Sequence, residues 1–134
     1  MGFQRRTLVS LAVTGLLAGG LVAAAPSAAN AADGCNQNTA KTARSTSVWS
    51  RTIELRANTN NVCGWGRISN GDPGDLVWVD RSYDGGAHWE QLSITTIPTN
   101  SRTTFTAAYN DQGHLMRACG KAGNRPEVAC TGWW

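Results

Sequence analysis

Charge is scarce in this sequence. Only 16% of its 134 residues are Asp, Glu, Lys or Arg, and no run of like charge exceeds two. A chain of this kind has no basic stripe for nucleic acid and no charged tail. Histidine is nearly absent too. His88 and His114 stand at no ligand spacing to any cysteine, and there is no C-x-x-C pair, so a zinc site is not expected. G-x-S-x-G is missing, and the carboxylates are few and sit mostly at turn signals. No set of groups meets the requirements of acid–base, nucleophilic or glycosidic catalysis. The reading is therefore of a protein that is not an enzyme and uses no metal or cofactor.

Long apolar runs are also missing, with one exception at the start. Arg5 and Arg6 precede an apolar stretch from Leu8 to Ala25, and Ala29-Asn30-Ala31 is a small-residue cleavage site. That is the layout of a secretory signal peptide over residues 1–31. Gln4-Arg5-Arg6-Thr7-Leu8-Val9 also fits the twin-arginine type loosely, although an ordinary Sec signal explains it as well. Later in the chain nothing approaches the ~20 apolar residues that span a bilayer. Removing Arg5 and Arg6 takes the formal net charge from +3 to +1. Such a chain recognises partners by shape, hydrogen bonds and aromatic contact. A secreted, extracellular monomer without membrane contact is expected.

Four cysteines remain, Cys35, Cys63, Cys119 and Cys130. An even number in a short exported chain reads as two disulfides. Spacing alone leaves three connectivities open. Cys35–Cys63 and Cys119–Cys130 is the expected pairing. The second would clamp the hairpin "CGKAGNRPEVAC", with turn residues Gly123, Asn124 and Pro126.

Residues 32–47 are small, polar and aperiodic, which reads as a flexible arm, and residues 48–134 read as one domain. Within that domain the period is two. "RTIELRA", "NVCGWGRI", "DLVWVDRS", "HWEQLSITTI", "RTTFTAAY", "HLMRAC" and "EVACTGW" are strand-like, separated by turn signals such as "NGDPGD". No helical period survives beyond the leader. The fold class expected is all-β, a small antiparallel β-sandwich of about seven short strands.

Tyr83-Asp84-Gly85-Gly86 joins two of those strands. Asp-Gly suits a hairpin tip because such turns need positive φ, and the Asp84 carboxylate can accept backbone N–H groups of the turn. Trp89 is expected to fold under the hairpin and pin it to the core. Asp72, Asp75, Asp80 and Asp84 offer oxygens for calcium, but no compact loop gathers them, and solvated turns are the simpler reading.

Ser82-x-Asp84-x-Gly86-x-x-Trp89 resembles an Asp-box, the hairpin of bacterial neuraminidase repeats. That resemblance implies a structural role for Ser82, Asp84, Gly86 and Trp89 away from any catalytic centre, in the company of secreted carbohydrate-active proteins. A wider resemblance rests on Cys63, Trp65-Gly66-Arg67, Gly71-Asp72-Pro73-Gly74-Asp75, Trp78, Asp80-Arg81 and Arg117 to Gly123. These residues are similar to a non-catalytic secreted actinomycete module found N-terminal to α-1,6-mannanase-type glycoside hydrolases. "IELRANTNNVCGWGRI" also resembles a small actinomycete domain of unassigned function. No hydrolase domain lies within the 134 residues, so the resemblance implies the non-catalytic module, whose own function is unassigned, without the mannanase activity.

Six tryptophans are many for one small domain. Adjacent strand residues point to opposite faces, so one of Trp133 and Trp134 is expected outside. Trp65, Trp78 and Trp89 are expected mainly in the core. Exposed rings suit sugar faces and protein partners alike. Trp133, Trp134, Trp78 and Tyr83 are the candidate ligand-binding residues, with an extracellular polysaccharide as the expected partner. The alternative is an inhibitor-like or structural surface protein that meets a secreted protein through the Cys119–Cys130 loop.

Overall fold

A computed structural model describes residues 35–60 and 62–134. The leader expected over residues 1–31, and the first residues of the expected arm, lie outside the described residues. The described chain is all-β. Its strands are β1 (Ala40–Val48), β2 (Arg51–Asn58), β3 (Cys63–Ser69), β4 (Leu76–Ser82), β5 (Glu90–Thr96), β6 (Thr104–Phe105), β7 (Tyr109–Asn110), β8 (Leu115–Lys121) and β9 (Ala129–Cys130). No helix among the described residues is long and apolar enough to cross a membrane.

Two antiparallel sheets form. One runs β1-β2-β3-β6, with β7 also paired to β3, and the other runs β5-β4-β8-β9. Ile53, Leu55, Ile68, Val77, Val79, Met116 and Ala118 fill the space between the sheets, and Ile97 from the loop after β5 closes it. Each such burial contributes about 1.5–3 kcal/mol for a Val-, Leu- or Ile-sized side chain. The sheets approach closely at Gly120. A Cβ there would lie 2.3 Å from Ile53 Cδ1 and 2.9 Å from the Leu76 carbonyl oxygen.

The segment read as an arm needs correction. Residues 40–48 form β1, paired to β2 from Ala40 to Val48 with one irregularity at Thr42–Arg44. Its sequence hid this because it is an edge strand. Only Ala43, Thr46 and Val48 turn partly inward, and the other six positions face water, so no apolar alternation marks it. "RTTFTAAY" is interrupted for a different reason. Thr106 is buried between β6 and β7, its Oγ1 accepting from Gly66 N at 3.0 Å while its own N donates to Gly66 O.

Both disulfides are paired as expected, Cys35–Cys63 and Cys119–Cys130. Each works on the outside of a sheet. Cys35–Cys63 draws the N-terminal segment over the outer face of β3, where Cys35, Cys63, Trp65 and Ala108 make a second small core. Trp65 is thus buried, but outside the sandwich. Its neighbours Gly64 and Gly66 face inward, toward Met116 and toward Val77 and Val79.

Candidate functional site

The outer face of the β5-β4-β8-β9 sheet carries the polar and aromatic residues that the core excludes. On β4, Val77 and Val79 point inward, so Trp78, Asp80 and Ser82 point outward. Register sets Ile94 and Cys119 beside Trp78, and Arg117 beside Asp80. Asp80 is only 3% exposed. Its Oδ2 accepts from Arg117 Nε at 2.9 Å and lies 3.4 Å from the Cys119 sulfur, which has no proton to donate. The Arg117 guanidinium lies 4.4 Å from the Trp89 ring centre and 4.6 Å from that of Trp133. The two rings tilt at 56° to each other.

The position of Trp89 is a correction. It was expected under the hairpin, yet it is 53% exposed. It precedes β5, and the space beneath the sheet is already occupied by Val77, Val79, Met116 and Ala118, so the ring lies over the outer face instead. Trp134 is the inward ring of the terminal pair. It exchanges backbone hydrogen bonds with Met116 and packs partly buried on the main core, so it is not on the outer face with Trp133. Trp78 is half-buried on the outer face and Trp133 is half-buried against Arg117.

The Ser82–Trp89 hairpin is tied by its own side chains. Asp84 Oδ1 accepts from Ser82 Oγ at 2.9 Å and from His88 N at 2.8 Å, and Ser82 Oγ accepts from Gly86 N at 2.8 Å. Asp84 Oδ2 sits 2.6 Å from His88 Nδ1. Hydrogen bonds from the His88 backbone, the His88 ring and Ser82 lower the Asp84 pKa to about 2. Gly86 has φ +97°, and a Cβ there would stand 2.8 Å from Trp133 Nε1. Glycine therefore serves both the turn and the docking of Trp133.

Ser, Asp and His meet here, but not in the order of a Ser-His-Asp triad. A catalytic histidine lies between the hydroxyl and the carboxylate. In this hairpin the carboxylate lies between, and the Ser82 residue is 1% exposed.

An open cavity of about 220 Å³ lies beside the hairpin, lined by Arg81, Tyr83, Asp84, His88, Trp89 and Glu90. Tyr83 is 66% exposed and its ring lies 5.0 Å from that of His114. Arg81 stacks 5.4 Å from Tyr83 and pairs with Glu90 at 3.0 Å. Of the four candidate ligand-binding residues, only Tyr83 lines this cavity. The second ring lining it is Trp89, not Trp133 or Trp134. Arg81, His88 and Glu90 were not among the candidates, although the Asp-Gly turn could have marked Arg81 and Glu90 as cross-strand partners. No sequence signal links Arg117 to Asp80, 37 residues apart.

The aspartates considered for calcium are engaged by cations and N–H groups of the protein. Asp75 Oδ2 accepts from Arg51 Nε at 2.7 Å and its Oδ1 from Gly123 N at 2.9 Å, while Asp72 pairs with Arg51 and Arg102. Burial raises the Asp75 pKa, but Arg51 and the backbone N–H groups of Asp72 and Gly123 outweigh it and hold the value low. Among the described residues one group of three possible ligands converges, Asp80, Cys119 and Cys130. Both of its sulfurs are bonded to each other, which removes the thiolates a metal would need.

Comparison with protein-family models, with curated proteins and with solved structures found no match to this chain.

Proposed function

We propose that this protein is an extracellular, non-catalytic carbohydrate-binding domain, and that its ligand rests between Tyr83 and Trp89. The observation that carries the reading is the cavity at the hairpin: two largely exposed aromatic rings around a space edged by fixed polar groups. Sugar rings have apolar C–H faces and hydroxyl edges, and such a site supplies the complement to both. Asp84 and Glu90 accept hydroxyl protons, Arg81 donates, and the exposed His88 ring offers a further polar nitrogen. Arg81 is committed to Glu90, and the Asp84 carboxylate is already met by Ser82 Oγ and the His88 backbone N–H, so an anionic ligand gains little, which favours a neutral glycan. At about 220 Å³ the space is smaller than the usual range for drug-sized ligands of about 300–1,000 Å³, so it suits one sugar unit of a longer chain. Two disulfides suit an oxidising, extracellular setting.

Affinity electrophoresis in polysaccharide gels, followed by calorimetry with the oligosaccharide that retards the protein, tests this. Tyr83→Ala and Trp89→Ala are expected to lose binding with Tyr83→Ala leaving the unfolding midpoint in place. Retardation by no neutral polysaccharide would refute the reading, as would Tyr83→Ala and Trp89→Ala binding like the unaltered protein.

A second reading has one observation behind it. The Cys119–Cys130 loop is held from outside as well as by its disulfide. Trp49 Nε1 donates to Glu127 at 3.0 Å, and the Arg125 guanidinium lies 3.8 Å from the Trp49 ring centre. Trp49 and Ser50 have φ of 48° and 69°, conformations costly for such residues, so these contacts hold a strained turn. A loop fixed in this way loses little entropy on meeting a protein partner. Inhibition of a secreted hydrolase that is lost in Arg125→Ala would favour this reading over the glycan.

A further inference from the structure

The opposite side of the molecule has a second groove, of about 370 Å³, on the outer face of the β1-β2-β3 sheet. Trp65 forms its floor, Phe105, 48% exposed, stands on one side, and Arg56, Arg67 and Gln37 line it. We propose that this groove binds an anionic group, a carboxylate or a phosphate, carried on a sugar ring that lies against Phe105.

Arg67 is the basis of the proposal. Strand register places it beside Glu54 on β2 and Phe105 on β6. Glu54 is committed elsewhere. Its Oε2 accepts from Thr42 Oγ1 at 2.5 Å and from Arg56 Nη1 at 3.2 Å. Among the described residues the Arg67 side chain has no ion pair, hydrogen bond or ring contact; it is half-buried and its five donors meet no described partner. Arg56 engages Thr42 and Glu54 through Nη1 alone. Two guanidinium groups against one carboxylate leave the groove positive, and among the described residues no carboxylate lines it. A guanidinium fork matches a planar carboxylate or a phosphate in two parallel hydrogen bonds. Gln37 Nε2 donates to Thr106 O at 2.6 Å, which fixes the side chain and leaves its carbonyl oxygen to accept a ligand hydroxyl. Together these groups fit an acidic sugar better than a neutral one. The groove and the Tyr83–Trp89 cleft lie on different sheets, so each can fail without the other.

The test is a titration followed by 1H–15N NMR at low salt, using glucuronate, glucose 6-phosphate, inorganic phosphate and glucose. Saturable shifts are expected at Arg67, Phe105 and the Gln37 side-chain amide with glucuronate, glucose 6-phosphate or both. Which of the two binds identifies the charged group, and glucose should move none of these signals. Arg67→Gln should weaken the binding about ten-fold or more, as expected for losing hydrogen bonds to a charged group. Arg67→Lys keeps the charge without the fork and should also weaken it, which retains a test if the Gln variant fails to fold. Tyr83→Ala should bind the anion as before. The proposal is overturned by an absence of saturable shifts with both sugar anions, by equal shifts with glucose, or by Arg67 variants that bind normally. Binding of inorganic phosphate alone overturns it as well.

Discussion

Arg117→Ala removes the partner of a carboxylate that the fold cannot return to water. The Asp80 side chain is 4% exposed and that of Arg117 19%. Removing one member of a buried ion pair costs about 3–5 kcal/mol because the other charge is left uncompensated. Water can reach the space vacated by Arg117, which points to the lower end, about 3 kcal/mol. The cation–π contacts with Trp89 and Trp133 add about 0.5–1 kcal/mol each at exposed sites. A loss of about 4 kcal/mol is expected, which lowers Tm by on the order of 15 °C or more in a domain of this size. Urea unfolding of the disulfide-intact protein, followed by tryptophan fluorescence, measures it. Asp80→Asn combined with Arg117→Met removes both charges and should recover part of the loss, since the stranded carboxylate is the main cost. If Arg117→Ala lay within about 1 kcal/mol of the unaltered protein, the range of an exposed pair, Asp80 would not be buried in the manner described.

Three further outcomes follow from the same structure. Asp84 has its folded pKa lowered to about 2 against an ordinary 3.8, so its contribution is complete above about pH 4 and is lost as pH falls toward 2; Asp84→Asn should flatten that limb of a stability–pH curve measured by thermal melts. Asp111 has the opposite sign: burial raises its pKa and its Oδ1 is buried without a hydrogen-bond partner, so stability falls as pH rises above about 4. Asp111→Asn should therefore melt higher than the unaltered protein at pH 7 and no higher at pH 3. Replacing Cys35 and Cys63 with Ala opens a 28-residue separation, with a chain-entropy cost of about 3–4 kcal/mol, and should uncover Trp65, read as a red shift in the emission of the still-folded protein.

Most strand positions, the two-sheet class and the presence of two disulfides were legible because each has a local or compositional cause. A period of two makes a half-buried strand, Gly and Pro clusters end it, and an even cysteine count in a short chain implies disulfides. The hairpin at Asp84 was legible for the same reason. Its carboxylate, its glycines and its histidine are neighbours in the chain, and the hydrogen bonds stay within that stretch. β1 was not legible, because an edge strand with water on most sides shows no apolar alternation to read.

The candidate site was legible only in part. Tyr83 was among the candidates and lines the cavity, but the second ring there is Trp89, which the sequence placed in the core. Alternation states which residues share a face of a strand; it does not state which face meets the other sheet. On β3 the tryptophan faces outward and two glycines face inward, because Gly64 and Gly66 let Met116, Val77 and Val79 approach, and the Cys35 segment covers Trp65 from outside. At the chain end, alternation separated Trp133 from Trp134, and only packing assigned Trp134 to the core and Trp133 to Arg117. The sequence by itself determined most of the strands, the turns and the presence of disulfides, whose causes are local or compositional. Tertiary structure alone decided the partners of Asp80, Trp89 and Arg67, because those contacts, or their absence, depend on how separate strands and loops pack.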